Sequence, residues 1–521
     1  MAHNGRVGVD ALLREAANRQ PRRVALKWGE RTHTYAELEH RCDGLASALV
    51  DGGLGRGDRV GLLSRNRPEM IETMFATWRA GGAIVPINPR FVVDEVTALL
   101  DDASASALVV GPEHAELVSP LRQRVGSLRQ IYSIDASVDG AEPYESVISV
   151  GHEFRGRPFE TKADDLAWLF YTSGTTGRSK GAMLTHGNLD AMARGWVEEM
   201  TPLTDDDVAL HAAPLSHGAG FHAFALVRAA ISQIIATGGS FDPAEVCTLV
   251  ERERVTTTWL VPTQIRMLLA HPALAEHDLS SLRAIVYGGS PMYVSDLEDG
   301  LRRLGKVFVQ LYGQGESPMT GTFLPAAEHE IGSPRLASCG RVRGGMELSI
   351  QSEDGTSLEP GRVGEICLRG PTVMRGYWNQ PEESARTLRD GWLHTGDLGL
   401  VDADGYVFIK DRSKDMIISG GSNVYPREVE DALSAHPEIA EACVFGVPDP
   451  KWGEAVKAVV VPEAGSRLDA SHLLEFVRPH LADYKRPKSI DFVEALPKNA
   501  YGKVLRRALR SAYWPQDGRQ V

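Results

Sequence analysis

The stretch LFYTSGTTGRSKG occupies residues 169–181. Its apolar lead-in, residues 167–170, reads as a buried strand that runs into a loop of Thr, Ser and Gly and ends at Lys180. Glycines let backbone N–H groups approach an anion closely, hydroxyls add donors, and the lysine adds charge. A loop built this way is expected to hold phosphate through Thr172, Ser173, Gly174, Thr175, Thr176, Gly177 and Lys180. It is not a G-x-x-x-x-G-K-S/T loop, because counting from Gly174 puts Ser179 where the second glycine belongs. Read alone, the run could also be a Gly/Thr-rich surface turn.

Outward from this loop, strand-like and helix-like segments alternate for most of the chain, which predicts an α/β fold. Residues 58–63 (DRVGLL), 83–87, 107–110 and 284–287 read as short buried strands, and residues 68–80 as a helix. Near Lys410 the texture changes. Helices are expected over residues 426–436 and 471–481, and strands around 442–447 and 456–461, forming a small α+β unit. The expected division is 1–413 for a large N-terminal domain, which includes a β-subdomain, and 414–521 for a mobile C-terminal one. No internal repeat or low-complexity tract stands out.

Composition narrows the function classes. Sixty-nine acidic against 56 basic residues give a formal charge of −13, a surface that repels nucleic acid and anionic lipid. The five cysteines, Cys42, Cys247, Cys339, Cys367 and Cys443, are scattered and never spaced C-x-x-C. That argues against a zinc site or disulfide framework and points to a reducing, cytoplasmic setting. No apolar signal core opens the chain, and no run approaches the roughly 18 apolar residues of a membrane span.

Further motifs follow in order: TYAEL at 34–38, RAGGAIVPINP at 79–89, PLSH at 214–217, GGSP at 288–291 and YGQGE at 312–316. Then come GRVGEICLRGPTVMRGYW at 361–378, HTGDLG at 394–399, the stretch 412–426 and PKNAYGKVLRR at 497–507. Together these motifs resemble the adenylate-forming superfamily of acyl-CoA synthetases, peptide-synthetase adenylation domains and luciferases, on the acyl-CoA ligase side. The resemblance spans nearly the whole chain. It implies a ligase that joins a carboxylic acid to ATP as acyl-AMP, releasing pyrophosphate, and then transfers the acyl group to coenzyme A. Both reactants of the first step are anions, so catalysis there means charge neutralisation and alignment.

The resemblance assigns roles residue by residue. Lys180 and the loop would hold the β- and γ-phosphates, and Glu316 would be the Mg2+ ligand. Asp397 would accept both ribose hydroxyls, as a two-pronged acceptor can, with Arg412 nearby; taken alone, Asp-Leu-Gly is simply a turn. Gly288, Gly289, Ser290 and Pro291 would line the adenine pocket together with Tyr312, Gly313, Gln314 and Gly315. The Tyr312 ring would stack on the base, although a core tyrosine is the plain alternative. His217, Gly218 and Phe221, with Gly288, would flank the acyl group, while a lone histidine is more often structural. Lys503 would bridge carboxylate and α-phosphate, with Lys498 as a weaker rival. Lys414 matches the interdomain hinge. Ser419, Gly420 and Gly421 would admit the pantetheine arm of coenzyme A.

One residue departs from the family pattern. The fifth motif is usually Y-G-x-T-E, and here Gly315 replaces the threonine, whose hydroxyl touches the α-phosphate in relatives. Two readings follow: a full ligase that tolerates glycine, or one impaired in adenylation that mainly thioesterifies a supplied acyl-AMP. Loading of a carrier protein is a third reading. A fourth is a luciferase-like oxygenase on the same scaffold, and a degenerate nucleotide-binding module is the non-catalytic one. The acyl region, expected within 217–264, 288–292 and 313–322, is rich in Gly, Ala, Phe and Met. It favours an apolar acid. A homodimer is left open.

Overall fold

The computed structural model describes residues 8–135, 137–149, 160–172, 179–290, 292–412, 415–419, 422–498 and 504–513. Four sheets form among them. The first runs Glu142–Pro143, Gln130–Ser133, Ala105–Val110, Arg59–Leu63, Ala83–Ile87, Leu166–Thr172, Lys180–Thr185. It is parallel except for its last pair, a hairpin in which Leu166–Thr172 and Lys180–Thr185 run antiparallel. Parallel strands covered on both faces read as apolar runs, and this is why residues 83–87 and 105–110 carry so few polar side chains.

A second, nine-stranded sheet takes in Val208–His211, Thr257–Leu260, Ala284–Tyr287, Phe308–Gln314 and Ser317–Leu324. Between the two sheets lie helices Pro68–Arg79, buried at every position, and Gly218–Ala229, buried through Val227. Both share one apolar core with Ile84, Trp168, Leu26 and Val286 of the flanking strands. The charged residues on the first helix are tolerated there because they are paired. Glu72 binds Arg41 at 2.7 Å, and Arg79 binds Glu39 and Asp43 at 2.6 Å each.

The third sheet is antiparallel and includes Gly364–Arg369, Trp392–Val401 and Val407–Arg412. The fourth, near the C-terminus, centres on Ile439–Asp449 and Gly453–Pro462, with Pro426–Ser434 and Ala470–Val477 packed on it. The expected α/β class, with a large N-terminal part and a smaller C-terminal one, is therefore what forms.

Most expected elements are present with shifted ends. Residues 83–87 and 284–287 match strands Ala83–Ile87 and Ala284–Tyr287. The helix expected to reach 481 stops at Val477: Arg478 keeps helical angles (φ −57°, ψ −42°), but Pro479 has no N–H to carry the hydrogen-bond ladder on. Its start is set by Asp469, whose side chain accepts the His472 N–H at 2.8 Å. Strands expected at 442–447 and 456–461 extend to Ile439–Asp449 and Gly453–Pro462, because each supplies the ladder partners of the other. No helix among the described residues is long and apolar enough to cross a membrane.

Candidate active site

Thr172 and Lys180 are cross-strand partners at the mouth of the hairpin, so the two ends of the expected phosphate loop stand side by side. Ser173, Gly174, Thr175, Thr176 and Gly177 lie outside the described residues, as do Pro291, Lys414, Gly420, Gly421 and Lys503. The Thr172 hydroxyl donates to Glu316 Oε1 at 3.4 Å, and the Tyr377 hydroxyl donates to the same oxygen at 2.7 Å. Burial against Glu316 raises the Tyr377 phenol well above its ordinary range, so it stays a donor. Lys180 pairs with Glu383, with its Nζ 5.2 Å from the centroid of the Tyr377 ring.

Two residues before Glu316, the strand Phe308–Gln314 delivers its own polar side chains. The Tyr312 hydroxyl and Gln314 Nε2 both donate to Asp397 Oδ2, at 2.8 and 2.7 Å. Gln314 also donates to the Thr395 carbonyl at 2.9 Å. Across the third sheet Asp397 stands opposite Arg412, whose Nε lies 2.6 Å from Asp397 Oδ1. Burial weakens the Arg412 charge, but Asp397 and Tyr312 together carry its pKa above the ordinary value. Asp397 is 5% exposed. A path of contacts and one short turn, residues 314–316, thus joins Lys180, Tyr377, Glu316, Gln314, Asp397 and Arg412.

The strand segment that presents Asp397 is held from behind. Gly396 has φ +70°, with open space where a side chain would be, so glycine is favoured there by backbone conformation alone. Its N–H donates to Glu365 Oε1 at 2.8 Å, and Glu365 Oε2 meets His394 Nδ1 at 2.8 Å. Cys367 completes a Glu–Cys–His cluster with donor atoms close enough for a metal ion. Arg389 Nη2, at 2.6 Å from His394 Nδ1 and 3.5 Å from Glu365, already supplies the cation.

Among the residues expected to flank the acyl group, the Phe170 ring packs at a tilt against His217 (centroids 4.9 Å, 32°) and Phe221 (5.0 Å, 34°), and Phe221 continues to Trp168 at 4.5 Å. Gly218 opens the helix that carries Phe221, and a Cβ there would meet Met319 Cε at 2.8 Å and Trp259 Cη2 at 3.0 Å. Gly288 is packed on Leu311, and Gly313 on the Met319 backbone. Gly289, at φ +80°, faces open space beside Ser290. Ser419 belongs to the fourth sheet, opposite Ser422 and Gly453, and among the described residues shares no hydrogen bond with the Lys180 to Arg412 path. Lys498, the rival lysine, is tied to Glu441 at 2.7 Å.

Tyr377, Glu383, Glu365 and Phe170 were not singled out from sequence. Tyr377 and Glu365 fall inside a quoted motif and Phe170 inside the phosphate-loop stretch, so a signal existed. Only the folded chain shows what their side chains touch.

Burial also makes this region acid-sensitive. It holds His217 and His211 down to about 4, and His222 well below its ordinary value, so all three are neutral when folded at neutral pH. An unfolded histidine titrates near pH 6.5, so stability present above that pH is lost as pH falls toward 4, by roughly 1.4 kcal/mol per unit and per histidine. The thermal midpoint should therefore drop steadily from pH 6.5 to 4. His222→Leu should drop less steeply, and parallel curves for variant and parent would refute the assignment.

Comparison with known proteins follows the same outline. Residues 13–378 match the family model "AMP-binding enzyme", and residues 428–503 match "AMP-binding enzyme C-terminal domain". A feruloyl-CoA synthase of Amycolatopsis sp is 41% identical over 497 residues, covering 95% of this chain and 97% of that protein. A medium/long-chain-fatty-acid–CoA ligase of Mycobacterium tuberculosis is 36% identical over 533 residues, covering 100% and 91%. The crystal structure of ATP-bound MatB from Rhodopseudomonas palustris matches with a TM-score of 0.89 at 33% identity, over 98% of this chain and 99% of that one.

Proposed function

The chain belongs to the AMP-binding enzyme family and is an AMP-forming acid–thiol ligase, and on that premise we propose that it activates an apolar carboxylic acid as acyl-AMP and passes the acyl group to coenzyme A. The observation that supports this reading best is the path from Lys180 through Glu316 to Asp397 and Arg412. It sets a cation at one end, beside the loop, and a two-pronged acceptor at the other.

In the first half-reaction a carboxylate oxygen attacks the α-phosphorus and pyrophosphate leaves. Lys180 and the loop take the β- and γ-phosphates; to do so Lys180 exchanges Glu383 for phosphate oxygens. Lys503 bridges the two anionic reactants. Asp397 accepts the ribose diol. Its two oxygens offer about four lone-pair sites, and Arg412, Tyr312 and Gln314 already occupy three of them. Nucleotide entry therefore displaces at least one of these donors. Tyr312 is the natural one to yield, since its ring is also the stacking surface for adenine.

Mg2+ fits Glu316: Oε1 is held by Tyr377 and Thr172, while Oε2 accepts no hydrogen bond among the described residues. A single oriented carboxylate is what this ion takes when phosphates complete its shell, and its charge would offset that of the phosphates. In the second half-reaction the thiolate of coenzyme A attacks the acyl carbonyl carbon and AMP leaves, with no protein nucleophile required.

We further divide the chain at Lys414, into 1–413 and 414–521, with rotation there exchanging Lys503 for the face carrying Ser419, Gly420 and Gly421. The family models end at 378 and resume at 428, an interval that contains this hinge. Buried cysteines, none paired with another, support a cytosolic setting. The row of rings Trp168, Phe221, Phe170 and His217 favours an apolar or aryl acid, in keeping with relatives named for ferulate, indoleacetate and fatty acids. The test is pyrophosphate release with aryl, medium-chain and long-chain acids, followed by chromatography of the thioester formed with coenzyme A or with a carrier domain. Release with no acid, alongside turnover of synthetic acyl-AMP, would leave only the thioesterification half standing. Acylation of the carrier alone would overturn coenzyme A as acceptor.

A further inference from the structure

The glycine at 315 does not leave a gap. A Cβ built on it would lie 2.7 Å from Phe170 Cε1 and 2.8 Å from Thr172 Cγ2, and closer still to Phe170 Cδ1. Carbon atoms in contact keep about 3.5–4.0 Å apart, so even alanine would have to move its neighbours. Gly289 and Gly396 face open space, whereas Gly218, Gly288 and Gly313 are packed as closely as Gly315; among these, Gly315 is the one whose nearest neighbour is an aromatic ring. What fills the place of the missing side chain is the Phe170 ring, 6% exposed and packed at a tilt against both His217 and Phe221. Thr172, on the other side, is engaged with Glu316.

We propose that Phe170 and Gly315 form one steric unit that sets the wall of the acyl site, with Phe170 as a specificity-determining residue for acids that carry a flat ring. The inference rests on the acid-activating function proposed above. Gly315 is then a packing partner of Phe170 and not a defect in adenylation. Restoring the family threonine in this chain displaces Phe170 toward His217 and spoils the site it was meant to repair. With a smaller residue at 170 the threonine fits. The ring row Phe170, His217 and Phe221 offers an aryl acid a wall of tilted aromatic rings against which a flat ring can pack. A flexible alkyl chain depends far less on such a surface.

The experiment compares Gly315→Thr, Phe170→Ala and the double variant with the parent chain. Each is assayed for pyrophosphate release with a cinnamic acid and with octanoate, and for thermal midpoint. Gly315→Thr should lower kcat/KM by ~30-fold or more with both acids, the scale expected when a packed site is overfilled. Phe170→Ala should lower the ratio of aryl to alkyl kcat/KM by ~10-fold. The double variant should regain ~10-fold or more over Gly315→Thr with octanoate, but not the preference for the aryl acid. Full activity of Gly315→Thr, an unchanged acid ratio in Phe170→Ala, or no rescue in a folded double variant would each overturn the proposal. If the double variant folds poorly, Gly315→Ala replaces it: it should impair the parent chain and be neutral in a Phe170→Leu background, and equal impairment in both overturns the coupling. If the parent releases pyrophosphate with no acid, the proposed function fails. The steric coupling is then still read from thermal midpoints, which must fall in Gly315→Thr and recover in the double variant.

Discussion

Lys503→Ala is expected to stop adenylate formation while leaving thioester formation from supplied acyl-AMP within a few-fold of the parent. The two halves separate because only the first brings two anions together. Unit charges 4 Å apart interact by about 4 kcal/mol at the effective dielectric near a protein surface. Losing a bridging ammonium should thus cost ~100-fold to 1000-fold in pyrophosphate release. Lys498 is the weaker candidate, since it is paired with Glu441 at 2.7 Å and its backbone pairs with Val504. The check is pyrophosphate release against hydroxylamine-free thioester formation from synthetic acyl-AMP. Equal loss in both assays, or a larger loss in Lys498→Ala, would remove Lys503 from the role proposed for it.

Asp397→Asn carries the second large effect. The carboxylate is buried and accepts from Tyr312 and Gln314 while holding Arg412. Asparagine keeps the shape but turns one acceptor into a donor facing other donors, and leaves the Arg412 guanidinium without its partner. The Arg412 side chain is 38% exposed, so the loss falls short of the about 3–5 kcal/mol that breaking a fully buried pair from one side costs. Part of that should appear as a lower thermal midpoint and part as a weaker nucleotide site. KM for ATP should rise by ~100-fold with KM for the acid little changed. The opposite pattern, acid affected and ATP not, would place Asp397 on the wrong side of the site.

How much of this was legible beforehand differs from element to element. Strands 83–87 and 284–287 were readable to the residue, because a short apolar run bounded by glycine leaves few alternatives. Helix ends were less so: the stop before Pro479 follows from its missing backbone N–H, which a wider apolar pattern obscured. The loop of residues 172–180 supports an expectation of phosphate binding through residue types alone. Its surroundings could not be read that way. Tyr377 on Glu316 spans 61 positions, and Glu383 on Lys180 spans 203.

By itself, the sequence determined the α/β class, the smaller C-terminal part and the family, since backbone conformation and motif order are written in neighbouring residues. Only the tertiary structure decided which side chain orients Glu316, which acid holds Lys180, and why position 315 is glycine. Those answers depend on where strands distant in the chain come to lie against one another. Phe170 fills the space beside Gly315 because two sheets and two buried helices press its ring into that position, and close packing of that kind has no signature in either residue taken alone.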